Sequence, residues 1–225
     1  MFAYIWPSLH PKVGAQAVCG RYDDFNNIGY AFGIDETGHL GFIVADGKEF
    51  DAVLSEIPLQ RHIWYFIGAS YDASTGRATL HQVGVVNRYN SLWGKVTPMD
   101  YDSHVSETLR FKPKHAPDIS FLVGGTWDFH VNRGKFVNEL YSGKVDRPGI
   151  VSRVLSREEF DHICSGGKPP ENDILAYWDT SAGYTDTGIG DGVTDTGPYG
   201  LHAIGINKPV RAQTGWNWNR RNDCF

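Results

Sequence analysis

The stretch Ile63-Trp-Tyr-Phe-Ile-Gly-Ala-Ser-Tyr71 is apolar on both of its alternating faces. Side chains along a strand point to opposite sides of a sheet in turn, so such a strand needs cover on each side. It therefore reads as the central strand of a layered structure. Asp72-Ala-Ser-Thr-Gly76 then supplies the turn into a partner strand over Arg77 to Val83. A chain of 225 residues can bury ~70–75% of its unfolded surface, enough for one all-β domain of sandwich size without a disulfide staple.

The remaining elements follow from local signals. Phe2 to Trp6 opens as a strand with almost no lead-in, as expected if the chain begins inside a larger polypeptide or if the first strand pairs at once. Ala15 to Arg21 is the next strand. Gly29 to Ile34 and His39 to Ala45 are joined by Asp35-Glu-Thr-Gly38, a hairpin turn, and Asp46-Gly47 is the strongest short turn signal in the chain. Asn87 to Pro117 reads as a long excursion containing a strand from Val105 to Phe111; Ile119 to Gly124 returns to the core, and Lys135 to Leu140 forms a further strand. Asn138 to Ile163 writes a strand, a turn, a strand and a short helix. Ser156 and Glu159 make a capping box at the start of that helix, Leu155 and Phe160 a hydrophobic staple, and Gly166-Gly167 its stop. Beyond Pro170, Ile174 to Trp178 forms one more strand. Asp179 to Gly200 reads as loop, and Leu201 to Trp218 as a surface extension. The expected division is a sandwich over 1–170 and a closing strand with a linker or docking tail over 171–225. No repeat of 20 to 50 residues is visible, which excludes a solenoid or propeller.

Charge and cysteine usage narrow the functional classes. A net charge of -5 and a pI near 6.0 do not suit a polyanion binder, so no nucleic-acid partner is expected. The longest apolar run, Ile63 to Ala69, is far short of the ~20 residues that span a bilayer, and no membrane association is expected. Cys19, Cys164 and Cys224 are odd in number and widely spaced, and they read as reduced thiols of a cytoplasmic protein. The first residues lack the pattern of a signal peptide, and no Asn-x-Ser/Thr site occurs, which fits the same compartment.

Catalytic and metal patterns are sparse. Glu49 and Asp51 sit at strand spacing, but Val53 breaks the alternating carboxylate run that a sandwich glycosidase would need, so both read as solvent-side charges beside a turn. Asp128 and His130 would share a face on a strand; with no second pair they read as a hydrogen-bonded loop pair. Asp179, Asp186, Asp191 and Asp195 lack the spacing of a calcium loop and read as turn caps. There is no Gly-x-Ser-x-Gly elbow, and Gly124-Gly125 and Gly166-Gly167 lack the rest of a phosphate loop. Trp93 and Trp127, like most sandwich tryptophans, are assigned to the core. Trp216 and Trp218 lie in a weakly hydrophobic tail, and with Arg211 they are expected to pack against a neighbouring module or subunit.

Two sets of phrases carry a family resemblance. Tyr141-Ser-Gly-Lys-Val-Asp146 followed by Arg153-Val-Leu-Ser-Arg-Glu-Glu-Phe160, with Trp64 to Asp72 as the middle strand, resembles laminin-G-like, concanavalin A-like jelly-roll domains. That resemblance implies an all-β concanavalin A-like (laminin-G-like) jelly-roll β-sandwich with one short helix and an irregular C-terminal tail. The succession Ala176-Tyr-Trp-Asp179, Val193-Thr-Asp195, Gly200-Leu-His202, Ile206-Asn-Lys-Pro209 and Arg211-Ala-Gln-Thr-Gly-Trp-Asn-Trp218 is similar to the large subunit of the N,N-dimethylformamidase family. What this implies is a noncatalytic domain of an amide hydrolase, with no catalytic or metal-binding residue in this chain. The family's mononuclear iron, held by two tyrosines and a glutamate, would lie in a downstream amidase module. Arg211, Thr214, Trp216, Asn217 and Trp218 would form the module interface, and the downstream module and a small subunit would be the partners in a homo- or hetero-oligomer. The competing reading is a stand-alone carbohydrate-binding (lectin-like) module using exposed tryptophans and calcium; a third is a purely structural assembly domain.

Overall fold

The computed structural model describes residues 1–9, 14–85, 101–130, 132–182, 192–206, 209–210 and 215–216. In chain order the strands are β1 (Phe2–Pro7), β2 (Gln16–Asp23), β3 (Ile28–Ile34), β4 (Leu40–Asp46), β5 (Phe50–Leu54), β6 (Tyr65–Asp72), β7 (Arg77–Gly84) and β8 (Ser103–Thr108). They continue with β9 (Leu122–Val123), β10 (Thr126–His130), β11 (Gly134–Asn138), β12 (Gly143–Val151), β13 (Ile174–Tyr177), β14 (Gly192–Val193) and β15 (Ala203–Ile204). The helix α1 (Arg157–Cys164) lies between β12 and β13.

Two sheets form the sandwich. One has six strands in the order β13-β12-β1-β6-β7-β8, all antiparallel. The other has the order β11-β10-β2-β3-β4-β5, with β9 beside β2 and a parallel contact between β10 and β2. Between them lies the main core, in which Ile5, Val18, Phe32, Leu40, Val44, Tyr65, Ile67 and Leu80 interdigitate. This is an all-β jelly-roll sandwich with one short helix.

β6 occupies the position its composition demands. It is flanked by β1 and β7; Tyr65, Ile67 and Ala69 enter the main core, while Phe66 points the other way. On that outer face a second cluster forms from Phe2, Tyr4, Trp64, Phe66, Leu155, Phe160 and Ile163. Burying a phenyl ring such as Phe160 contributes about 1.5–3 kcal/mol, so this second layer is a substantial part of the fold. The absence of a side chain at Gly68 makes room for it: a Cβ there would stand 2.3 Å from Cε1 of Phe160. Gly149 does the same for Phe2, whose Cζ would lie 2.3 Å from an added Cβ.

The helix that delivers Phe160 is set by its cap. The Ser156 hydroxyl accepts the N–H of Glu159 at 3.3 Å, and the Glu159 carboxylate accepts that of Ser156 at 2.8 Å. Leu155 and Phe160 are both buried in the outer cluster, as the staple requires. Gly166 adopts a φ of +88° just past the helix end.

Several elements differ from the sequence reading. The strand expected over 105–111 runs over Ser103–Thr108, and the one expected over 119–124 shrinks to two residues. Asp128 and His130 lie on β10, not on a loop; β10 is held by β11, a partner supplied by later sequence. Asp51 lies on β5 and accepts the backbone N–H and Nε–H of Arg110 at 2.8 and 3.1 Å, so it ties a loop to an edge strand where a solvent-side charge was expected. β12 continues through Pro148 without a break. Among the described residues no helix is long and apolar enough to cross a membrane.

Under α1, His81 of β7 and His104 of β8 face each other with their Nδ1 atoms 3.1 Å apart, one ring donating and the other accepting. His81 also lies against the Phe160 ring at 4.1 Å. Asp102, the Met1 ammonium and, from the helix, Arg157 and Asp161 are the charged groups whose fields reach this pair. Burial, reinforced by the neighbouring His104, pushes the His81 imidazole down from 6.5 to about 4. Between those values the unfolded chain binds a proton that the native state refuses, so native stability rises with pH across that window and is lost as pH falls through it. The urea midpoint should therefore drop as pH is lowered from 7 to 4, and this slope should flatten in His81→Gln. An unchanged slope in the variant would show that the imidazole does not govern it.

Candidate docking site

The segment after β13 carries the most exposed apolar surface of the chain on an ordered frame. The frame begins with Asp195, which is only 4% exposed. Its carboxylate accepts three backbone N–H groups, from Tyr177 at 2.8 Å, Gly197 at 2.8 Å and Leu201 at 2.7 Å. Its own N–H donates to Nδ1 of His202 at 3.1 Å. Bonds from backbone N–H to a buried carboxylate replace its lost hydration, and they fold residues 195–202 into one compact turn against the edge strand β13. The Thr196 N–H donates to Tyr177 O at 2.8 Å, and Nε1 of Trp178 donates to Leu201 O at 2.8 Å. Trp178 is itself buried and stacked on Phe121, with centroids 5.7 Å apart. β14 and β15 then pair as a short two-stranded ribbon outside both sandwich sheets, within segments that the sequence reading gave as loop and surface extension.

This tongue holds its apolar side chains outward. Tyr199, Leu201, Ile204 and Ile206 are 66, 52, 80 and 49% exposed, and Val210 beyond them is 92% exposed.

Trp216 returns to the sandwich. Its ring stacks on Tyr4 with centroids 4.1 Å apart and planes within 2°. The Arg147 guanidinium stands 5.9 Å from the same indole. The Tyr4 hydroxyl reaches the last turn of α1, donating to the carbonyls of Ile163 at 2.7 Å and Cys164 at 3.0 Å, and burial raises its pKa. Gly166 closes the seat from below, since a Cβ there would meet Cη2 of Trp216 at 3.1 Å. Arg147 is aimed by a bulge where β12 shifts register against β1, and its own φ is +48°. It lies 3.7 Å from Asp179, while the neighbouring Asp146 accepts the Thr180 hydroxyl at 2.6 Å. Trp216 is therefore half-buried against its own domain.

Of the five residues assigned to a module interface, Trp216 alone is among the described residues; Arg211, Thr214, Asn217 and Trp218 lie outside them, as do Trp93, Asp186, Asp191 and Cys224. Asp179 and Asp195 both cap turns, Asp179 accepting the N–H of Ser181 at 2.9 Å. Asp128 and His130 are 3.0 Å apart and form a surface pair. Trp127 is half-buried, its Nε1 donating to Ser120 O at 2.9 Å. Among the described residues no group of three or more His, Cys, Asp or Glu side chains is placed to hold a metal ion. Burial pushes the thiols of Cys19 and Cys164 up to about 12, which leaves both unreactive near neutrality. The seat formed by Tyr4, Arg147 and Gly166 had no signal in the sequence beyond the helix-stop glycine, because its parts lie more than 140 residues apart at the first pair.

No family model matches the sequence. Over 225 residues, 99% of the chain, it is 34% identical to the N,N-dimethylformamidase beta subunit of Paracoccus aminophilus. Over the same share it is 33% identical to the N,N-dimethylformamidase beta subunit of an Alcaligenes species. In both cases the chain spans 29% of the relative's length. Among solved structures, a putative carbohydrate binding protein from Bacteroides ovatus ATCC 8483 superimposes with a TM-score of 0.56 at 13% identity, covering 87% of this chain and 48% of that one, a likeness of fold alone.

The geometry of the tongue predicts a local effect for Asp195→Ala. Losing an acceptor for three N–H groups costs on the order of 2 kcal/mol, and that opens the segment about 30-fold more often. Thermolysin should cut between Leu201 and Ile206 correspondingly faster while the sandwich resists as before. Equal cleavage of the two proteins would show that the carboxylate does not hold the tongue.

Proposed function

We propose that this chain, homologous over its whole length to one segment of the N,N-dimethylformamidase beta subunits, is a noncatalytic β-sandwich that serves assembly in an N,N-dimethylformamidase-like amide hydrolase. The observation that carries this reading is an identity above 30% over a match that spans 99% of the chain. The reaction of the whole enzyme would be addition of water across the C–N bond of a formamide, releasing formate and an amine. The iron for that chemistry, and the two tyrosines and glutamate that hold it, belong in this reading to an amidase module outside the chain. The domain's partners are that module and a small subunit, in the cytoplasm, a compartment that suits its free thiols, the buried Cys19 and the half-buried Cys164.

A stand-alone carbohydrate-binding module draws less support. The solved structure whose title names carbohydrate binding is 13% identical, and the described half-buried tryptophans, Trp6, Trp127 and Trp216, are engaged by their own domain.

Formamide hydrolysis and iron content measured on this chain and on the complete beta polypeptide with its small subunit test the proposal. Activity and stoichiometric iron are expected in the complete enzyme, with the 225-residue chain at background on both counts. Turnover by the chain alone, or none in the complete enzyme, would overturn it.

A further inference from the structure

Outside the site of Trp216, the most unusual surface of the molecule is the tongue itself. Solvent-exposed apolar residues are ordinary when scattered or flexible; here four of them sit on a frame fixed by a buried carboxylate and the Trp178 indole. No Lys or Arg occurs among the described residues from 192 to 210, and their one carboxylate, Asp195, is buried. Among the described residues this ordered surface groups exposed apolar side chains with neutral hydroxyls at Thr194 and Thr196 and the His202 imidazole, and it carries no exposed carboxylate, guanidinium or ammonium, a composition nearer to a permanent contact than to a transient one. Its rigidity also removes most of the ordering cost that a loose tail would bear on binding.

We infer that Tyr199, Leu201, Ile204 and Ile206 form the surface on which this domain docks to the amidase portion of its own beta polypeptide. The inference rests on the functional proposal above. The occupant follows from the comparison: about seven-tenths of each relative lies outside the matched segment, in the same polypeptide, and is therefore present at high effective concentration. The partner surface must be apolar and uncharged to match. Trp216, stacked on Tyr4, is the positioning residue that anchors its own segment on the sandwich.

The test uses the complete beta polypeptide with its small subunit, carrying Leu201→Asp with Ile204→Asp, beside a Phe136→Asp control on the edge strand of the opposite sheet, a residue 52% exposed. In scanning calorimetry the parent should melt with the sandwich coupled to the rest. The double variant should release a separate transition at the melting temperature of the 225-residue chain, whose own melting the substitutions leave within about 2 °C, because surface changes cost little. The control should behave as the parent. An unaltered melt in the double variant, or the same uncoupling in the control, would overturn the inference. So would a dimer of the 225-residue chain that the double variant abolishes, because the occupant would then be a second copy. Formamide turnover of the parent sample is read separately: an inactive parent whose sandwich still uncouples on mutation would sink the functional proposal and leave the docking surface standing.

Discussion

Everything in this fold depends on β6 being apolar on both faces. A strand of that kind obliges the chain to build two cores, one on each side of the six-stranded sheet. Ile67 and Tyr65 are covered by the second sheet; Phe66 is covered by α1, which exists as a helix because of its cap and docks because Gly68 leaves room for Phe160. The histidine pair, the Tyr4 hydroxyl at the helix end and the seat of Trp216 all lie within this outer layer. Trp216 is thus continuous with the packing of the first strand.

What was legible in the sequence was what local chemistry dictates. The capping box at Ser156, the central strand at 65–72 and the hairpin between β3 and β4 follow from neighbours within a few residues of each other. What was not legible depends on distant partners. β10 exists because β11 and β2 border it, and Asp51 matters because Arg110 arrives from another part of the chain. Asp195 is the clearest case: in a glycine- and threonine-rich stretch it looks like one more turn residue, yet its burial against β13 holds residues 195–202 as one compact turn. Of the interface assigned from sequence, Trp216 is seen against its own sandwich, and the other four positions lie outside the described residues.

The functional account joins a sequence relationship to a surface. The relationship is to one segment of the N,N-dimethylformamidase beta subunits, less than a third of their length. The surface proposed for docking is the tongue, where Tyr199, Leu201, Ile204 and Ile206 stand outward on a frame held by Asp195, while β6 turns its apolar side chains inward on both faces of its sheet.

Hydrogen exchange compared between the 225-residue chain and the same residues within the complete enzyme tests this account most directly. It predicts that the added protection in the complete enzyme is concentrated over 192–206, with the sandwich strands unchanged. Protection gained instead over β3, β4 and β5 on the opposite sheet, or gained nowhere, would contradict it.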